Sequence, residues 1–141
     1  MEQLNEQERL VNQVMSTMSW CDCEIIPGGY GDIVVAISED LSYYHTLEIN
    51  FHKVDFLVIK QSFSVDPDEG FFKPMTQEEI MRINKENGAT SGSQLFRLAD
   101  EDGAIFYVAA ERITIGYDTV LHYYREDLQP GQRIANWVAK P

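Results

Sequence analysis

Residues 43–66 read YYHTLEINFHKVDFLVIKQSFSVD, the clearest two-residue periodicity in the chain. His45, Leu47, Ile49 and Phe51 share one parity, and Thr46, Glu48, Asn50 and His52 share the other. Beyond Lys53 the apolar parity flips, because Val54, Phe56 and Val58 follow at even positions. A two-residue connection at His52-Lys53 pairs Phe51 with Val54, Ile49 with Phe56 and Leu47 with Val58, all on one face. That is the pattern of an antiparallel hairpin covering a core. His-Lys is poor chemistry for the tight primed turns, which favour Asn-Gly or Gly-X. A longer loop or a bulged continuous strand therefore fits the same letters.

Upstream, residues 5–19 carry Leu10, Val11, Val14, Met15 and Met18 on one stripe, the spacing of an amphipathic helix. Asn5 is placed to cap it, with Glu8 completing a capping box. Residues 21–26 and 32–38 read as strands around the glycine-rich turn 27–31. Downstream, 61–65 alternates and the Asp-Pro-Asp-Glu-Gly run at 66–70 breaks it. A second helix over 76–87 is capped by Thr76 and Glu79, stapled by Met75 and Ile80, and ended by Asn87-Gly88. Its thin apolar content places it at the surface. Residues 89–93 form a small-residue loop. Two hairpins are then expected, one around Asp100-Glu-Asp-Gly103 and one around Gly116-Tyr-Asp118. A change of phase between Val108 and Ile113 calls for a turn or bulge near Ala110-Glu111. The tail at 133–138 suits either a short helix or an extended cover strand. The expected fold is α+β in one domain over 1–141: a mainly antiparallel, strongly curved or partly closed sheet of six to eight strands, packed by the N-terminal helix, with one short surface helix.

The chain has 141 residues, 23 Asp and Glu against 11 Lys and Arg, and a net charge of −12. Such a field repels phosphate backbones and anionic membranes and attracts basic partners. Direct nucleic-acid binding and a lipid contact are therefore not expected, while a basic protein is an admissible partner. No stretch approaches the ~18 apolar residues of a spanning helix, and the polar opening residues lack a leader pattern. With two cysteines and no disulfide framework, a reducing cytoplasm is the expected setting. A monomer or homodimer is expected, the latter through an exposed sheet edge.

Chemistry-bearing constellations are few. Cys21 and Cys23 share one face of a strand, poorly placed for bridging and without a second pair for zinc. The Asp66–Gly70 run starts like a calcium loop, but Gln77 stands where the bidentate glutamate belongs. No metal and no cofactor is expected, and no nucleotide, hydrolase or metalloprotease motif is present. His45 and His122 each fall on the apolar parity of their strands and each neighbours tyrosines, Tyr44 and Tyr124 among them. On adjacent strands they would form an imidazole–phenol cluster. A catalytic pair also needs an orienting carboxylate, which parity does not identify.

Two functional readings follow. The first is a small non-catalytic cytoplasmic protein-binding domain of the immunity or inhibitor type, meeting a basic partner through an acidic, tyrosine-bearing surface. Asp66, Asp68, Glu69, Asp100, Glu101 and Asp102 are its interaction candidates. The alternative is a small-molecule site, enzymatic or not, lined by His45, His122, Tyr44 and Tyr124. No catalytic residue is assigned under either.

Overall fold

A computed structural model describes residues 3–141. The first helix, α1 (Glu6–Ser16), begins where the sequence places it. The Asn5 side chain accepts from the Glu8 amide at 2.8 Å, and the Glu8 carboxylate returns to the Asn5 amide at 3.0 Å. Val11 and Met15 are fully buried, while Leu10 stays exposed, so the packed stripe is narrower than the apolar one.

The strands are β1 (Cys21–Pro27), β2 (Ile33–Ser38), β3 (Tyr44–His45), β4 (Leu47–Val58), β5 (Ser62–Val65) and β6 (Phe72–Lys73). After α2 (Gln77–Glu86) come β7 (Gln94–Ala99), β8 (Ile105–Gly116), β9 (Thr119–Leu121) and β10 (Gln132–Ile134). Seven of them form one sheet in the order β5-β1-β2-β4-β8-β7-β6, antiparallel throughout, and β10-β9-β3 form a second, small sheet. The seven-stranded sheet curls into a half-barrel. Its ends approach each other where the Glu101 amide of the β7–β8 turn donates to the Ser64 carbonyl of edge strand β5. Phe63 and Phe106 meet across the same gap with ring centroids 5.1 Å apart. This is the α+β, strongly curved, mainly antiparallel architecture that the periodicities predict.

Helix α1 lies in the hollow. Val11 and Met15 join Cys21, Cys23, Ile37, Ile49, Phe51, Phe96 and their neighbours in one core. Asn12 stitches the helix to the sheet rim, donating to the Phe72 carbonyl and accepting from the Phe71 and Phe72 amides. Both cysteines are free and buried. Burial pushes the Cys21 thiol up to about 11 and Cys23 well above its ordinary value, so neither is a ready nucleophile.

Two expected hairpins are absent, and two readings left open are resolved. The hairpin at His52-Lys53 is absent, and β4 runs straight through as a bulged strand, with Lys53 at φ 52° and a register shift against β8 between Val54 and Phe56. Asp32 holds the irregularity, accepting from the Lys53 amide at 2.9 Å and facing His52 Nδ1 at 3.1 Å. The phase change in β8 is absorbed likewise, with Glu111 and Arg112 both exposed in a continuous strand. Residues 112–115 and 119–124 do not pair as a hairpin, because the chain leaves the large sheet after Gly116 and β9 pairs with β3 and β10 instead. In the tail only Gln132–Ile134 is strand, β10 lying parallel to β9, and a turn at Asn136-Trp137 follows.

The convex side of the large sheet is thus covered in two places. Around α2, Met75, Ile83, Leu95 and Ala109 form a second cluster with Phe56, Ile80 and Tyr107. Thr76 caps the helix, but Glu79 turns away from the reciprocal bond to accept from Tyr107 and pair with Arg97. The small sheet covers the outer side of β2 and β4. Among the described residues no helix is long and apolar enough to cross a membrane.

Candidate functional site

The interlayer between the small sheet and the convex side of β2 and β4 holds a connected polar network. It exists because the chain bends at Thr46, whose amide donates to the Ile37 carbonyl. The alternation of β4 would put His45 beside Leu47 on the core side. The bend instead sends His45 to the outer side with Glu48, and it is buried there completely. His45 pairs with Val120 in the ladder of β3 and β9, and the Tyr43 carbonyl accepts from the His122 amide two pairs further on. His45 and His122 consequently project from the same side of the small sheet, towards β2 and β4.

Their rings touch. His45 Nδ1 lies 2.8 Å from His122 Nε2, and His45 Nε2 lies 2.7 Å from Glu48 Oε1. The same carboxylate oxygen accepts from Arg133 Nη2 of β10 at 2.7 Å, and Arg133 Nε reaches Asp118 at 3.5 Å. His122 Nδ1 faces the Leu41 carbonyl at 3.1 Å. The His45 bond, seconded by Arg133, holds the Glu48 carboxyl below the usual range against the opposing effect of burial. Burial first, and the neighbouring His45 charge second, pushes His122 below the ordinary imidazole value.

Trp137 stands over this network with its ring centroid 5.3 Å from that of His122, yet it remains 54% exposed. It divides a groove above β1. On one side a cleft of about 290 Å³ is lined by Glu48, Asn50, Val120, Arg133 and Asn136. On the other, a cleft of about 420 Å³ is lined by Glu24, Ala36, Gln61 and His122. Both share Ile26, Pro27 and Trp137. A larger cleft of about 600 Å³ lies elsewhere, between Tyr30, the β4 bulge and residues 90–93. Of its two carboxylates, Asp55 is taken up by bonds to Thr90 and Ser93 that anchor that loop, and Glu111 pairs with Lys53.

Of the residues singled out by sequence, the structure joins His45 to His122 but brings neither Tyr44 nor Tyr124 into the network. Tyr44 pairs with Leu121 on the opposite side of the small sheet from His45, and no described hydrogen bond links either phenol to an imidazole. The two acidic turns come together through the Glu101–Ser64 bond, two residues from Asp66. Within them Asp66 accepts from the Asp68 amide, and Asp100 accepts from the Asp102 and Ala104 amides. Those two carboxylates build the turns, which leaves Asp68, Glu69, Glu101 and Asp102 exposed. No described hydrogen bond or ion pair joins this acidic edge to the histidine site.

Glu48, Arg133 and Trp137 were not found by sequence reasoning. Glu48 lies on the polar parity of β4, which reads as solvent-facing until the small sheet covers it. One signal pointed to such a cover: Ile33–Ser38 is apolar on both parities, the mark of a strand buried on two sides. The network supplies the orienting carboxylate that a histidine pair needs for proton transfer. All four ring nitrogens are engaged, however, so none is open to a substrate proton in this arrangement. Among the described residues no group of three or more His, Cys, Asp or Glu is arranged to hold a metal ion. In comparisons with known protein families, curated proteins and solved structures, the chain matches none.

Proposed function

We propose that the protein is a non-catalytic binding domain that meets a basic protein through the end of the small sheet. The observation that carries this reading is Trp137, a large aromatic seated on His122 yet half open to solvent. A half-open indole on a fixed seat suits a binding surface, because Trp, Tyr and Arg are the residues that dominate protein interfaces. Tyr43 and Tyr44, at the start of β3, and Tyr123, after β9, are exposed as well. The net charge of −12 selects a basic partner and speeds its approach. Asp68, Glu69, Glu101 and Asp102 contribute to that steering. An immunity or inhibitor role, neutralising a basic enzyme or toxin, is the concrete form of this function.

The test is affinity recovery of the tagged protein from its own cells, in wild-type and Trp137→Ala forms, at low and high salt. A basic protein retained by the wild type, lost in the variant and weakened by salt supports the reading. Retention that ignores both changes argues against it. A second reading, a small polar ligand in the groove astride Trp137, is favoured by the convergence of Glu48, Arg133 and Asn50 on one wall. It predicts a small molecule carried through purification by the wild type and lost in Arg133→Ala.

A further inference from the structure

The chain of contacts from Glu48 through His45 and His122 to Leu41 fixes how many protons the two imidazoles carry. The contact of His45 Nε2 with an ionised carboxylate needs a proton on that nitrogen. The contact of His122 Nδ1 with a carbonyl oxygen needs another. The contact between the rings needs one proton, on either nitrogen. Four nitrogens therefore hold three protons. A neutral pair has two, and each of its tautomers sets lone pair against lone pair at one or more of the three contacts. A doubly charged pair has four, and sets N–H against N–H between the rings.

We propose that His45 and His122 share one added proton as a hydrogen-bonded monocation, and that this proton latches the small sheet and Trp137 onto the large one. Resting on the partner-binding reading above, the latch makes that binding face pH-dependent. The charged groups around the pair fit this state. Glu48 faces it from β4 and attracts the cation. Arg133, from β10, directs its charge at Glu48 and at Asp118, which precedes β9. Glu24, from β1, favours positive charge on His122. Burial and the charge on its partner ring both oppose a second proton at His122. As pH rises the shared proton leaves, one of the three contacts turns repulsive, and the seat of Trp137 loosens.

The experiment is two-bond ¹H–¹⁵N correlation of the imidazole nitrogens across about pH 5 to 9, read beside Trp137 emission in a Trp20→Phe background. Trp20 is a surface residue bonded to Asp22 and its removal leaves one indole to report. The expected result is three ring protons on the pair near neutral pH. One is lost on raising the pH, with a change in Trp137 emission at the same midpoint. Glu48→Gln keeps an accepting oxygen but removes the attracting charge, and lowers that midpoint by about one unit or more. His122→Phe abolishes the emission change. Should that variant fail to fold, the Glu48→Gln shift carries the test. Two ring protons throughout the range, or a third proton whose loss leaves Trp137 emission unchanged, overturns the proposal. These readings need no partner, so failure to recover a basic protein would contradict the binding function and leave the latch standing.

Discussion

Glu48 accepts two charge-assisted bonds on a single oxygen while about nine-tenths of its side chain is buried. Removing it as Glu48→Ala strands His45 in a dry interlayer and frees an Arg133 that is itself partly exposed. We expect a loss of about 3 kcal/mol, the lower end for breaking a buried pair, measured by urea unfolding. Arg133→Ala should cost less, about 1 kcal/mol, because its guanidinium regains water. The pH dependence has a definite sign on the acid side. Glu48 ionises below its ordinary value of 4.5 in the fold, so the unfolded chain takes up that proton first and stability is lost as pH falls through the carboxylate range. His122 lies below its ordinary 6.5, so the unfolded chain again binds first, and the decline begins as pH drops below that value. Urea midpoints should therefore fall progressively as pH drops from 6.5 towards 5, and the His122→Phe variant should show a shallower fall over the same interval.

At the scale of elements, β4 shows why a bulge and a hairpin are hard to tell apart in letters alone. Both reverse the parity of the apolar positions, and only turn chemistry separates them. His-Lys was the warning, and Lys53 at φ 52° is the outcome, a conformation that glycine adopts without strain. Lys53→Gly should stabilise the protein by up to about 1 kcal/mol, and Lys53→Val should destabilise it by about 1–2 kcal/mol. Thermal denaturation of the pair measures both. The helices were legible because capping and stripe signals are local. For α1, Asn5→Ala should cost about 1 kcal/mol and Met15→Ala, buried under the half-barrel, about 2–5 kcal/mol. The small sheet was not legible. Its strands are two or three residues long, too short for a period, and they are gathered from positions as distant as Tyr44 and Ile134. His45 and His122 could be suspected from their apolar neighbours. Glu48, Arg133 and Trp137 could not, because their roles depend on which faces the chain covers after it leaves the large sheet.

Across the whole molecule, a curled sheet holds one aromatic core, one helix fills its hollow, and a second helix and a small sheet clad its convex side. The α+β class and the strong curvature followed from composition and alternation, whereas the division into two sheets did not. The negative field belongs to this scale too. Association with a basic partner should slow steeply with added salt, by roughly tenfold or more between low and physiological ionic strength, whereas dissociation should respond mainly to changes at Trp137. The measurement that bears most directly on the proposed function is native mass spectrometry of the protein purified from its own cells. The proposed binding function predicts a complex whose added mass is a basic polypeptide, released by salt and absent from the Trp137→Ala protein. A bare monomer or homodimer, or a small molecule retained in its place, would contradict it.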